Sequence, residues 1–470
     1  MTQTVEMPVW LLIVIMALAA VAALDKVMIP SVRWFFRRRL ERVVAKLNTR
    51  LERPIQPFKL ARRFDMIQRL IYDPQVSLAI ANHARENEIP ENVAFEEASR
   101  YAREIVPSFS ASAYFGFAIR AARILSNALY RVRLGYFDEA ALKAVDPEAT
   151  MVFVMNHRSN VDYVLVTHLA ADRSALSYAV GEWARVWPLS RLIRAMGAFF
   201  IRRKSRNELY RKVLARYVRL ATDAGVTQAM FPEGGLSLTG ELMPPKLGLL
   251  KYITDGFDPE GRDVVFVPVA LNYDRVLEDQ VLIAASHKEK RRFNAGFGLV
   301  GRSIRHLLWL RMTGRYHRFG YAAVSFGAPV SLRAHLEKTD GADAETLATD
   351  LMSRIGDIVP ILPVPLVAWI LQKNGPMKRA DIEIALSSVI EKVPHAHVHM
   401  PRDNIGYAVE VGLRNLVERH VLTETDGLFV PSEPFKETLG YYANSIRHLM
   451  PEETPEISAV AKEISATAGS

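Results

Sequence analysis

The order of apolar and polar positions divides the chain into four textures. Residues 7–24, MPVWLLIVIMALAAVAAL, run for 18 positions without a charge. At about 1.5 Å per residue, such a run coiled as a helix nearly crosses a hydrocarbon core of about 30 Å. A transmembrane anchor within residues 1–30 is therefore expected, since MTQTVE ahead of it lacks the basic residues of a cleaved signal. From 59 to 135 helix formers dominate and apolar residues recur at spacings of three and four, as at Ile119, Ala122, Leu125 and Leu129. That spacing predicts a helical domain, placed with the segment before it at 31–147. Between about 148 and 335 the pattern changes to short apolar runs separated by helical stretches: TMVFVM, ALSYAV, GAFFI, TQAMF, VVFVPVAL and YAAVSF. Such alternation predicts an α/β domain with a mostly parallel sheet. Helical patterns return over 336–470, where IVPILPVPLVAWIL (358–371) holds three Pro and is too short and broken to span a bilayer. It reads as an extended lead into a buried or interfacial helix. The tail after Pro451 reads as loose, and no internal repeat is evident.

Charge sharpens the first of these textures. Lys and Arg exceed Asp and Glu by 9 over the whole chain, and residues 33–63 alone hold eleven basic residues against Glu41 and Glu52. The excess thus lies directly after the apolar run. By the positive-inside rule this flank stays cytoplasmic, with the rest of the chain on the same side. Phe36, Leu40, Val43, Leu47 and Leu51 recur at helical spacing there, so the segment is expected to lie along an anionic leaflet rather than on nucleic acid, for which the chain shows no motif. Composition removes further options. Without a single Cys, disulfides, Cys-ligated zinc, iron-sulfur ligation and a thiolate nucleophile are excluded, and acid-base work falls to His, Ser, Thr, Lys or carboxylates.

Chemistry collects where the apolar runs stop. TMVFVM is followed by Asn156, His157, Arg158, Ser159, Asn160, Val161 and Asp162. Five positions on one helix would set His157 and Asp162 about 140° apart, so pairing them needs a turn or helix start between them, which a strand-to-helix junction supplies. Paired, Asp162 would hold the proton of one ring nitrogen and leave the other as a general base. An isolated His and Asp at this spacing is more often a cap or a core residue, but this one is accompanied. GAFFI runs into Arg202, Arg203 and Lys204; TQAMF into Pro232, Glu233, Gly234, Gly235, Leu236, Ser237 and Leu238; VVFVPVAL into Asn272, Tyr273 and Asp274. Adjacent arginines suit a phosphate, and paired glycines let a backbone approach a ligand.

NHRSNVD, GAFFIRR, FPEGG and VPVALNYDRV, in this order and spacing, resemble the four blocks of the glycerolipid acyltransferases with the HxxxxD motif. The match is best to the membrane-bound glycerol-3-phosphate acyltransferase family and its dihydroxyacetone-phosphate relatives. EIVPSFS (104–110), VPLVAWIL (364–371) and YYANSIRHL (441–449) also look like that family's long form. The resemblance implies an α/β acyltransferase core with a mostly parallel sheet, helical N- and C-terminal regions and one N-terminal transmembrane helix at the cell inner membrane. It further implies an O-acyltransferase of phospholipid biosynthesis that moves a fatty acyl group from an acyl-CoA or acyl-ACP thioester to a hydroxyl of glycerol-3-phosphate. No permanently bound cofactor and no metal are expected, and the expected partners are membrane lipid, the thioester donor with its acyl carrier protein, and the glycerol phosphate acceptor. Carried to matching positions, His157 would take the acceptor's proton and Asp162 would orient the imidazolium. Arg202 and Arg203 would bind acceptor phosphate, Glu233, Gly234 and Gly235 would shape the acceptor site, and Arg158 and Ser159 could bond substrate oxygens.

The family usually places Arg-Ser-Arg after the glycines, whereas this chain has Leu236, Ser237 and Leu238. Losing two charge-assisted bonds removes several kcal/mol of phosphate binding. Either Arg202, Arg203, Lys204 and Lys246 compensate, or the acceptor differs, a lysophosphatidate for instance; a non-catalytic membrane-surface scaffold is the rival from another class. Three remaining signals are weaker. Gly296, Gly298 and Gly301 form a GxGxxG that follows polar sequence instead of a strand. His395, His397 and His399 alternate as one face of a strand would, without neighbouring carboxylates. Trp183 and Trp187 read as packing residues, and Ser237 in GLSLT lacks the second glycine of a nucleophile elbow.

Overall fold

The computed structural model describes residues 7–23, 38, 42–170, 175–181, 189–202, 207–287, 319–339 and 344–451. Two units result, one of residues 1–55 with 172–174 and one holding the remainder. Arg203, Lys204, Trp183, Trp187, Gly296, Gly298, Gly301, Phe36, Leu40 and the tail from 452 fall outside the described residues.

In the first unit the apolar run forms helix α1, Val9–Ala23, of 15 residues. At about 1.5 Å per residue this is about 22 Å long, short of a hydrocarbon core of about 30 Å. Among the described residues no helix is long and apolar enough to cross a membrane, so the expected single span over 7–24 is without support there. The side chains of α1 from Leu12 to Ala20 are nonetheless exposed, as is Trp10 at 66%. Residues 42–48 of the basic segment are also helical, with Val43 exposed and Val44 buried.

The second unit is built on an eight-stranded sheet in the order β1-β7-β6-β2-β5-β3-β4, with β8 beside β6. Its strands are β1 Arg131–Phe137, β2 Thr150–Met155, β3 Ser177–Gly181, β4 Phe199–Ile201, β5 Gln228–Met230, β6 Val264–Tyr273, β7 Tyr321–Phe326 and β8 Val330–Ser331. β2 pairs in parallel with β5 and β6, β3 with β4 and β5, and β1 with β7, while β6 pairs antiparallel with β7 and β8. All six apolar runs become strands because a central strand buried on both faces needs continuous apolar sequence. Every residue of β2, β6 and β7 is buried. Pro268 sits inside β6, where a missing N–H would break a ladder. It falls between the last pairing with β7, at Val269, and the first with β8, at Phe266, where that neighbour asks for no donor.

Two elements depart from the expected helical flanks. β1 lies within 31–147 and forms an edge of the sheet; its half-exposed sequence alternates instead of running apolar, and it follows a helix directly. Met377–Lys378 (β9), Leu422–Thr425 (β10) and Leu428–Pro431 (β11) make a small antiparallel sheet within 336–470. The Pro-rich stretch becomes α2, Pro363–Asn374, buried from Pro363 to Leu371 and packed on the helices Ile405–Glu418 and Lys436–Asn444. Proline at the first helical position costs no hydrogen bond, so the stretch begins a helix there.

Candidate active site

β2, β3, β4, β5 and β6 run in parallel, so the residues after each share one edge of the sheet, where such sheets place ligands. His157 follows β2, whose neighbours are β6 and β5, and the residues after those strands therefore flank it. Pairing between β2 and β6 ends at Met155 and Val269. Asn156 prolongs it, its side-chain amide donating to the Leu271 carbonyl at 3.0 Å and accepting from the Leu271 N–H at 2.8 Å. The chain then turns tightly and starts the helix Asp162–Leu169. The turn brings His157 and Asp162 together as the spacing required.

His157 Nδ1 lies 2.9 Å from Asp162 Oδ2, and both residues are buried. The same oxygen accepts the N–H groups of Arg158 at 2.8 Å and Ser159 at 3.0 Å, while Oδ1 accepts the Tyr273 hydroxyl at 2.5 Å. A carboxylate with these donors around it can only accept from the imidazole, so the proton sits on Nδ1 and the lone pair on Nε2. The ring stacks on Phe231, centroids 4.0 Å apart, and meets Tyr163 edge-on at 5.7 Å. This arrangement can perform general-base chemistry without a covalent intermediate.

Glu233, after β5, accepts the His157 N–H on Oε1 at 3.2 Å. Burial pushes its carboxyl up to about 8, against the opposing pull of the Arg158 charge, so at neutral pH it is largely protonated. Unfolded, the group ionises near the ordinary carboxylate range; folded, it holds its proton to about pH 8. Its stabilising share is complete below the ordinary range and is lost as pH rises toward 8. Glu233→Gln is thus expected to match the parent protein in denaturant melts at pH 4 and to exceed it at pH 8.5; equal stability at both would refute the assignment.

Gly234 has φ +67, and a Cβ there would lie 2.7 Å from Lys246 Cδ, so Lys246 packs where only glycine leaves room. Gly235 is half-buried. Leu236 and Leu238 pack against the main hydrophobic core. A cavity of about 270 Å³ runs from Phe231 past Gly234 and Lys246 to Arg202, Arg211 and Tyr252. Arg211 was not singled out from sequence; it stands in the first turn of the helix Glu208–Asp223, capped by Asn207.

Two expected substrate contacts are otherwise engaged. Arg158 is 2% exposed, and its guanidinium donates to the main-chain carbonyls of Gly240 and Ser445. Gly240 has φ +86 and no space for a Cβ against the Tyr441 carbonyl. Arg158 therefore ties the loop after Glu233 to the C-terminal region. Ser159 donates from Oγ to Glu278 at 2.7 Å. Arg202 borders the cavity but forms a two-pronged pair with Glu104, at 2.8 and 2.6 Å, and its charge is held more firmly by that carboxylate. Asp274 accepts from the N–H groups of Tyr321 and Val364, capping α2, with burial raising its carboxyl to about 7.

The histidine triplet lies in a loop with one bridge, Ile361 to Val398, not on a strand. His395 and His397 line a separate cavity of about 650 Å³, and the His399 ring packs on Tyr321. Among the described residues no cluster suited to a metal occurs. That cavity shares no lining residue with the His157–Asp162 site.

The chain is similar in sequence to known proteins over most of its length. An acyltransferase family model matches residues 139–272, and the glycerol-3-phosphate acyltransferase C-terminal region matches 303–460. The chain is 27% identical to the glycerol-3-phosphate acyltransferase of Xanthomonas campestris pv. campestris over 88% of its own length and 48% of that protein's. It is 29% identical to the one from Shewanella amazonensis over 86% of its length and 52% of that protein's. The chain spans about half the length of the curated relatives it matches. Among solved structures, the 1-acyl-sn-glycerophosphate (LPA) acyltransferase PlsC from Thermotoga maritima aligns at 18% identity and a TM-score of 0.28, over 51% of this chain and 79% of that one. Along one sequence the chain thus carries an acyltransferase domain followed by a glycerol-3-phosphate acyltransferase C-terminal region, and it is similar over most of its length to proteins named glycerol-3-phosphate acyltransferase.

Proposed function

We propose that this chain transfers a fatty acyl group from an acyl thioester to a hydroxyl of glycerol-3-phosphate, in phospholipid synthesis. The observation that carries the reading is the buried His157–Asp162 pair at the end of β2, its proton fixed on Nδ1. The acceptor oxygen attacks the thioester carbonyl carbon as its proton passes to His157 Nε2, and the Asp162 charge offsets the imidazolium that forms. Collapse of the tetrahedral intermediate breaks the carbon–sulfur bond, and the departing thiolate takes the proton back, giving an ester and a free thiol. Acyl-CoA and acyl-ACP both satisfy this chemistry, and neither requires a resident cofactor.

For the acceptor phosphate, Arg211 and Lys246 stand in the cavity beside Arg202. They take the place of the family's arginines, since Leu236 and Leu238 are committed to packing. The exposed apolar α1, followed by the basic segment, is proposed to hold the enzyme on the cytoplasmic face of the inner membrane, near its lipid products.

The test offers purified protein in anionic liposomes labelled acyl-CoA or acyl-ACP with glycerol-3-phosphate, lysophosphatidate or glycerol. Lysophospholipid product from glycerol-3-phosphate, and flotation with the liposomes that is lost on removing residues 1–30, are the expected results. Product only from lysophosphatidate or glycerol would reassign the acceptor, and no product from any would favour a scaffold.

A further inference from the structure

We propose that Tyr273, bonded to the Asp162 carboxylate, and Glu278, bonded to the turn before it, are positioning residues that set the charge and place of the His157–Asp162 pair. The inference rests on the acyl-transfer reading, and it begins from strand register. β6 continues four residues past its last pairing with β2. That overhang carries Tyr273 above the turn, where its hydroxyl reaches Asp162 Oδ1 at 2.5 Å. Tyr273 is 1% exposed, and burial together with the Asp162 charge keeps its phenol protonated, as a donor must be. Its ring packs on Tyr130, centroids 5.3 Å apart, and Tyr130 is held by its own bond to the Arg275 carbonyl at 2.8 Å.

Glu278 closes the turn from the other side. One carboxylate oxygen accepts the Ser159 hydroxyl at 2.7 Å and the other the Asn160 N–H at 3.1 Å. Ser159 Oγ in turn accepts the Val161 N–H at 3.2 Å. The turn from 158 to 161 is therefore pinned by Asp162 within and Glu278 without. Next in sequence, Asp279 binds Tyr442 at 2.5 Å and pairs with Arg419, so Glu278 is anchored in turn to the C-terminal region.

The two residues have distinguishable effects. The Tyr273 hydroxyl draws on the Asp162 charge, and without it more of that charge faces the imidazolium, so His157 keeps its proton to higher pH. Glu278 acts chiefly by holding the turn, through its bonds to Ser159 and Asn160.

Steady-state kinetics and ¹⁵N-histidine NMR on the full chain test both. Tyr273→Phe is expected to lower kcat about 10- to 100-fold with KM changed less than about threefold. It should also move the acid limb of kcat/KM, and the His157 titration seen by NMR, up by about half a pH unit or more. Glu278→Ala should lose about tenfold or more in kcat, with Glu278→Gln restoring it to within about threefold, because the amide still offers Asn160 an acceptor and Ser159 a partner. An unmoved acid limb and an unmoved His157 titration in Tyr273→Phe would overturn the proposal whatever the melting temperature did, as would a Gln variant as impaired as Ala. Wild-type protein inactive toward every acceptor would instead sink the acyl-transfer reading, and the NMR comparison would still decide this one.

Discussion

Exchanging His157 for Ala is expected to lower acyl transfer by about 1,000-fold or more while leaving the fold in place. The side chain is buried against Phe231 and Tyr163, but its removal strips no main-chain bond, since the His157 N–H to Glu233 and the Ser237 N–H to the His157 carbonyl are backbone groups that Ala retains. Asp162→Asn sharpens the same test. Oδ2 accepts from the N–H groups of Arg158 and Ser159 as well as from His157, so the amide oxygen of Asn takes that position and its NH₂ faces Tyr273, whose hydroxyl can turn to accept. Hydrogen bonding survives and only the negative charge is lost. A fall of about 100-fold or more in kcat would then measure the electrostatic support of the imidazolium. Initial rates at saturating acceptor, beside thermal melts of each variant, supply the check. A His157→Ala protein keeping more than a tenth of the parent rate would remove the histidine from the reaction.

How much of this was visible beforehand depended on whether neighbours in sequence or neighbours in space decide the feature. The six apolar runs became strands, and β2, β3, β5, β6 and β7 are buried along their whole length. The turn between His157 and Asp162 is local, so a spacing of five sufficed to require it. β1 escaped because an edge strand needs apolar sequence on one face only, and its helical neighbour ends just before it. Tyr273 and Glu278 lie 111 and 119 positions from their partners Asp162 and Ser159. Only the register of β6 on β2 shows that β6 overhangs the turn. Tyr273 lay inside a quoted motif, yet nothing in the motif said that its hydroxyl meets a carboxylate. Arg202 shows the same limit: adjacent arginines suggest a phosphate site, whereas the carboxylate that pairs with the first of them, Glu104, lies 98 positions earlier.

Arg158 separates a structural reading from a substrate-binding one, and its replacement by Met is expected to unfold or strongly destabilise the second unit. Its guanidinium is buried and supplies the donors for the Gly240 and Ser445 carbonyls. A hydrogen bond from a charged group is worth about 1.5 to 3 kcal/mol, so losing two with their acceptors left dry costs about 3 to 6 kcal/mol. That is a large part of the roughly 5 to 15 kcal/mol by which folded domains are stable. Met fills the volume of the aliphatic stem, so the loss cannot come from a cavity. Lys retains the charge but offers a single point donor where the planar fork bridges two carbonyls, and Arg158→Lys should recover only part of the stability. Had Arg158 served the acceptor, the pattern would reverse: Lys would keep the melting temperature, and KM for glycerol-3-phosphate would rise. Thermal melts and acceptor KM measured on both variants decide the matter. A Met variant that melts with the parent protein and raises acceptor KM tenfold would return Arg158 to the substrate. The expected result, lost stability with acceptor KM unchanged in the surviving Lys variant, would mean that Arg158 serves to bind the acyltransferase loop to the C-terminal region, beside the Asn444 bond to the Thr239 carbonyl.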